Sequence, residues 1–311
     1  MCGIAGIRLS QEGPVGQYLV DMMTALRHRG TDSTGFGLYG ASREDRLIAR
    51  LRVEPRDRLD QLLQEVVGAL RDSGGDLRAD PTWDHKDDAP DAFIRLEITP
   101  EVDIDRLTGD WLDLGGVEVH SFGHALEIIK DVGDAQTVAA RHGITAFQGT
   151  HGLGHCRLAT ESDVDVCHSH PFWARPFPDI AIVHNGQITN YYKYRRLLEQ
   201  DGYQFCSEND SELIAVYIAD RMKHGEPFEQ ALRHSVTALD GVFTYLISTR
   251  DGIGLAKDRL AIKPMIAVEA PHMVAMATEE QALRQVLREE IDTVSYGPRE
   301  VLVWNHQAIQ N

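Results

Sequence analysis

Basic side chains are the first thing this sequence is short of. It carries 31 Lys and Arg against 48 Asp and Glu, a net charge of −17 with histidine neutral. An acidic surface of that size repels phosphate backbones and anionic lipid, so neither nucleic acid nor membrane is an expected partner. No stretch approaches the roughly 18 to 20 uninterrupted apolar residues of a membrane span. Cysteine is sparse as well: Cys2, Cys156, Cys167 and Cys206 among 311 residues form no disulfide framework. A reducing, cytoplasmic setting is expected. The same four lack the spacing of an iron–sulfur cluster, and no Gly-rich dinucleotide fingerprint follows a strand, so no cofactor is expected in this chain. The opening, MCGIAGIRLS, has no basic region followed by a long apolar stretch and does not read as a signal peptide. Repeats and low-complexity tracts are missing too.

What is present is an ordinary globular pattern. The opening alternates weakly and suits a buried strand, residues 17–28 read as helix running into a turn at His28-Arg29-Gly30, and a strand resumes from Gly35 to Tyr39. Between about 43 and 135 the character changes. Leu59, Leu62, Leu63, Val66, Val67 and Leu70 recur at helical spacing. A loop is expected over 72–90, a half-buried strand over 92–98, a short helix at Ile104–Trp111 and a strand at 117–119. From about 148, short strands are expected at 151–158, 180–184, 242–248, 252–256, 265–268, 273–277 and 299–304. Helices are expected at 190–201, 210–223, 226–238 and 279–289, with Asn209 and Glu212 as the capping pattern of the second. Hairpins interleaved with helices predict layered packing around mostly antiparallel sheets.

The residue with most chemical potential is Cys2. With Met1 removed, its thiol and a free α-amine would share one residue, and the amine could take the thiol proton near neutral pH. Alone, Cys2 reads more readily as a small apolar residue at the start of a buried strand. A site for a free amino acid also needs a cation, an anion and an oxyanion hole. Arg157, in HGLGHCRLAT, can fork onto a carboxylate. Asp210, in the first turn of a helix, can hold an ammonium. Asn185-Gly186, in AIVHNGQITN, offers an amide and an unhindered backbone N–H. Each has a plain alternative: a surface ion pair, a helix-end residue, a hairpin turn. His151 and His155 lie four apart and Cys167, His168 and His170 cluster, but the spacing matches no familiar metal signature, so no metal is expected.

Taken in order, MCGIAGI, RHRGTDSTG, GHCRLAT, the His170-Pro171 pair, VHNGQITN and SENDSELI resemble the motifs of class II glutamine amidotransferases over about residues 1–40 and 148–305. The resemblance implies an α+β fold, a four-layer αββα sandwich of the N-terminal-nucleophile hydrolase type. It implies hydrolysis of L-glutamine to L-glutamate and ammonia, with Cys2 as nucleophile and base and with Asn185 and Gly186 forming the oxyanion hole. Arg157 and Asp210 would bind the glutamine carboxylate and ammonium, and Arg29, Thr160 and His170 would line the pocket. Leu158 departs from the branch that has Trp after the pocket arginine.

The whole chain, 1–311, thus reads as one amidotransferase domain with an inserted α/β unit at about 43–135. No acceptor domain follows the motifs, so the acceptor chemistry is expected on another polypeptide in a hetero-oligomer. Together with KDVG near 130, THGLGHCRLATES and KDRLAIKPM resemble the stand-alone amidotransferase subunits of glutamate-synthase-like complexes, of which N-methylglutamate synthase is one. The resemblance puts FMN and an iron–sulfur cluster in the partner synthase subunits. The insertion, with the strands after 250, is the expected docking unit. The alternative is a non-hydrolytic scaffold subunit that keeps the fold.

Overall fold

The strand that opens the chain, β1 (Gly3–Gly13), is buried on both faces from Gly3 through Leu9. Such a strand needs a covering layer on each side, and the remaining elements supply both. The computed structural model describes residues 2–84, 89–158, 165–287 and 292–305. After β1 come α1 (Val15–Ala25), β2 (Ser33–Tyr39), β3 (Leu47–Val53), α2 (Leu59–Asp72), β4 (Thr82–Asp84) and β5 (Ala92–Ile98). Next are α3 (Ile104–Asp113), β6 (Val117–Gly123), β7 (Leu126–Val132), α4 (Ala135–His142) and β8 (Gly149–Arg157). Then follow β9 (Phe172–Trp173), β10 (Ala181–Ile188), α5 (Tyr191–Gln200), α6 (Asp210–Lys223) and α7 (Phe228–Ala238). The last are β11 (Gly241–Thr249), β12 (Gly252–Lys257), β13 (Ile266–Ala270), β14 (Met273–Ala277), α8 (Glu280–Val286), β15 (Val294–Ser295) and β16 (Val301–Asn305).

Two antiparallel sheets face each other. One has seven strands in the order β15-β13-β14-β1-β8-β2-β7, the other five in the order β16-β12-β11-β10-β9. Alternation along β1 explains its double burial. Ile4 packs inward with Leu153, Val183, Leu246 and Met276, in the layer between the sheets. Ala5 and Ile7 point outward to Leu19 and Met23 of α1 and Leu283 of α8. Gly6 leaves room for the opposite sheet, since a Cβ there would lie 2.8 Å from Leu246 Cδ1. On the far side, Ile182, Phe243 and Tyr245 meet Leu213, Ile214 and Leu232 of α6 and α7. The fold is therefore the αββα sandwich, helices outside and sheets within.

A third sheet, β4-β5-β3-β6, occupies part of the region between β2 and β8. Leu62, Val66 and Leu70 of α2 and Trp111 of α3 cover one face, over Leu51, Ile94 and Leu96. The other face is charged: the buried Glu127 carboxylate of β7 accepts from Arg50 Nε at 2.7 Å and Arg95 Nε at 2.9 Å. This region is richer than its sequence pattern predicts. Strands β3 and β7 and helix α4 were not expected, and the expected loop at 72–90 contains β4. In β3, Leu47, Ala49, Leu51 and Val53 alternate with Ile48, Arg50 and Arg52, and the buried carboxylates that face the two arginines, Glu127 and Asp91, lie far along the chain, so local polarity hides the strand.

Candidate active site

Cys2 immediately precedes β1, and the neighbouring strands bring the other motifs to it. Gly3 pairs with Cys156 on β8, and Ile4 N–H donates to Thr278 Oγ1 at 2.8 Å beyond β14. The Cys2 carbonyl accepts two side-chain hydrogen bonds, from Arg29 Nε at 3.0 Å and Asn185 Nδ2 at 3.1 Å. Arg29 stands on a single 3₁₀ turn after α1 and is anchored on its other side by Glu279, which also takes His28 at 3.1 Å. Cys2, Arg29, Asn185, Gly186 and Lys263 line one cavity of about 450 Å³. Four segments separated in sequence thus share one space.

Asn185 and Gly186 are not a hairpin turn. They lie within β10, opposite Thr244 and Phe243 of β11. Gly186 has φ +133°, and a Cβ there would lie 1.9 Å from the Val242 carbonyl oxygen, so glycine is required twice over. Phe243 uses its own N–H and C=O on Asp258, so the facing Gly186 N–H is not spent on Phe243.

Arg157 ends β8, and its carbonyl accepts from Asp32 N–H at 3.1 Å. It is buried, not a surface residue. Asp210 is the first residue of α6. Its Oδ2 accepts from Ile188 N–H at 2.9 Å, and its Oδ1 lies 3.4 Å from His184 Nδ1. Burial raises the Asp210 carboxyl, but His184 and the backbone N–H groups of Ile188 and Ser211 outweigh it and hold the acid below its ordinary range. The N-cap of α6 is Asn209, which accepts from Ser211 N–H at 2.9 Å. Glu212 does not close the expected capping box: it reaches further back, to the N–H groups of Cys206 and Ser207.

His170 does not line the Cys2 cavity as its motif suggests. It lies behind, with Nε2 2.7 Å from Ser211 Oγ and its ring stacked on His155 at 4.1 Å. Burial, then His155, His184, Lys130 and Arg157, hold it well below the ordinary histidine range, so it is neutral. Burial and the neighbouring His184 and Arg157 push His155 down to about 3. Neither Arg157 nor Asp210 lines the 450 Å³ cavity either; both adjoin it through β8 and β10. Thr160 lies outside the described residues. Of the other thiols, Cys156 is poorly placed to react, because burial pushes it up to about 12. Sequence reasoning passed over His184, Ser211 and Glu279; the first two sit inside motifs already singled out. Among the described residues no group of three or more His, Cys, Asp or Glu side chains is arranged to hold a metal ion. No helix among them is long and apolar enough to cross a membrane.

The chain belongs to the class II glutamine amidotransferase family. Residues 155–285 match a family described as a glutamine amidotransferase domain. A protein of Methanothermobacter thermautotrophicus, provisionally named a glutamine amidotransferase, is 38% identical over 96% of this chain and 98% of its own length. The glutamine amidotransferase-like protein GlxB of Rhizobium meliloti is 31% identical over 99% of both. Among solved structures, the glutamine phosphoribosylpyrophosphate amidotransferase of B. subtilis superposes on 98% of this chain with a TM-score of 0.61 at 17% identity. This chain spans 48% of that one, and the likeness is one of fold.

Proposed function

We propose that this chain hydrolyses L-glutamine to L-glutamate and ammonia at Cys2 and delivers the ammonia to a separate synthase subunit. The observation carrying this reading is the convergence of Arg29 and Asn185 on the Cys2 carbonyl, at a cavity also lined by Gly186. Once Met1 is removed, the Cys2 α-amine takes the thiol proton and the thiolate attacks the glutamine amide carbon. The carbonyl electron pair moves onto oxygen. The Asn185 amide has two N–H groups; with one held by the Cys2 carbonyl, the other can serve the oxyanion together with the Gly186 N–H. Collapse breaks the C–N bond, the α-ammonium returns its proton to the departing ammonia, and a thioester remains. Water then attacks the thioester by the same route, releasing glutamate and restoring the thiol. Arg157 and the ionised Asp210 hold the two charged ends of glutamine, which fixes the amide relative to the sulfur.

The acceptor enzyme is of the glutamate-synthase type, N-methylglutamate synthase included, with FMN and an iron–sulfur cluster on its own subunits. This finer reading rests on the KDVG, THGLGHCRLATES and KDRLAIKPM segments. The docking role falls to the 43–135 insertion together with the strands after 250; edge strand β4 of the insertion carries Trp83, an aromatic 43% exposed. The test combines the intact mass of the N-terminus, a glutaminase assay and a glutamine-analogue electrophile such as a diazoketone. The expected result is loss of Met1, glutamate release, and one label at Cys2 that Cys2→Ala abolishes. Labelling at Cys156, Cys167 or Cys206 would overturn the assignment of the nucleophile. A mature Cys2 without glutamine hydrolysis, with or without the partner, would leave the scaffold reading in its place.

A further inference from the structure

Behind the proposed glutamine site one hydroxyl touches two imidazoles. Ser211 Oγ, fully buried in the first turn of α6, lies 2.7 Å from His170 Nε2 and 3.0 Å from His184 Nδ1. His184 Nδ1 is also 3.4 Å from Asp210 Oδ1. A serine hydroxyl has one proton to give, so its roles toward the two rings differ. An ionised carboxylate only accepts, so His184 Nδ1, which faces it, carries a hydrogen and shares it between Asp210 Oδ1 and Ser211 Oγ. Ser211 then has its own proton free for His170 Nε2. That nitrogen must present a lone pair, and the hydrogen of the neutral His170 ring sits on Nδ1. Neither His170 Nδ1 nor His184 Nε2 has a hydrogen-bond partner among the described residues, so no second bond to either ring competes with this arrangement.

We propose that Ser211 is a positioning residue: by accepting from His184 and donating to His170 it orients His184, and through it the Asp210 carboxylate, for the α-ammonium of glutamine. This rests on the reading of Asp210 given under the proposed function. Asp210 is held at both ends, by Ile188 N–H and by His184, and only the second tie runs through a side chain that can rotate. Ser211 secures that ring. The reacting amide lies at the other end of the substrate, so the contribution falls on binding and not on bond breaking.

The test uses the mature enzyme with Ser211→Ala, Ser211→Thr and Asp210→Asn. The expected result for Ser211→Ala is a rise of about tenfold in the KM for glutamine, the scale of one hydrogen bond to a charged network, with kcat within a few-fold of the parent. Glutamine affinity measured by calorimetry in a Cys2→Ala background should fall by the same factor. Ser211→Thr keeps the hydroxyl and should recover most of the loss, which a purely steric role for serine would not allow. Nitrogen-15 spectra of histidine-labelled enzyme should show His170, assigned by the loss of its signals in His170→Gln, with hydrogen on Nδ1. They should also show its Nε2 resonance moving in Ser211→Ala. An unchanged KM and affinity in Ser211→Ala, or a hydrogen on His170 Nε2, overturns the inference. If Asp210→Asn also binds glutamine normally, the reading of Asp210 has failed. If Asp210→Asn weakens binding and Ser211→Ala does not, only the role of Ser211 has failed.

Discussion

Replacing Gly186 by alanine tests the oxyanion hole through its backbone. Two costs can be worked from the geometry. At φ +133° an L-residue is held in a sparsely populated region, at a cost of about 1–3 kcal/mol. The added Cβ would also sit 1.9 Å from the Val242 carbonyl oxygen and 2.7 Å from Phe243 Cα. A carbon and a carbonyl oxygen come no closer than about 3.3 Å even in the weak C–H···O contacts between strands, so β10 must separate from β11 by more than about 1 Å at this point. The obstacle is backbone, not the end of a flexible side chain, so it cannot swing aside. A shift of about 1 Å at a reacting centre costs on the order of 100-fold in rate. Gly186→Ala is therefore expected to lower kcat for glutamine hydrolysis by at least about 100-fold and to lower the thermal midpoint as well. The assay is glutamate release under saturating glutamine, alongside thermal unfolding. Turnover within a few-fold of the parent at an unchanged midpoint would show that neither the strain nor the displaced N–H matters, and the oxyanion assignment would fall with it.

Two further outcomes follow from the same structure. Asn185→Ala removes a side-chain donor without straining the strand, and should cost about 100- to 1,000-fold in kcat with little change in KM; equal losses in affinity, seen by calorimetry, would contradict a transition-state role. Glu127→Gln leaves Arg50 and Arg95 without their shared buried carboxylate and should destabilise the fold by about 3–5 kcal/mol in denaturant titrations at neutral pH. Burial raises the Glu127 carboxyl, but the two arginines outweigh it and leave the folded group below its ordinary range. Its stabilisation is therefore fully present above the unfolded glutamate range, near about pH 4.3, and is lost as pH falls through the lower folded value. The gap between parent and variant should accordingly shrink only in acid; a gap that narrows as pH rises would contradict this sign.

How much of this was legible beforehand depended on where each residue's partners lie. Cys2, Arg29, Asn185 and Gly186 were readable because each occupies a short motif at a strand or turn, and antiparallel pairing then carries those segments to one cavity. The double burial of β1 was nearly readable: its weak alternation is what a strand covered on both faces shows, with Ile4 meeting one layer and Ile7 the other. Strand β3 was not readable, because the buried carboxylates that face Arg50 and Arg52, Glu127 and Asp91, lie 77 and 39 positions away. The same holds for His170. Its motif placed it near the site, but only the tertiary structure sets it against Ser211, 41 residues on. Motifs disclose groups that line a cavity from a single segment. Residues that act by holding another side chain emerge only when the layers are stacked, because their chemistry lies in a pairing that no single segment contains.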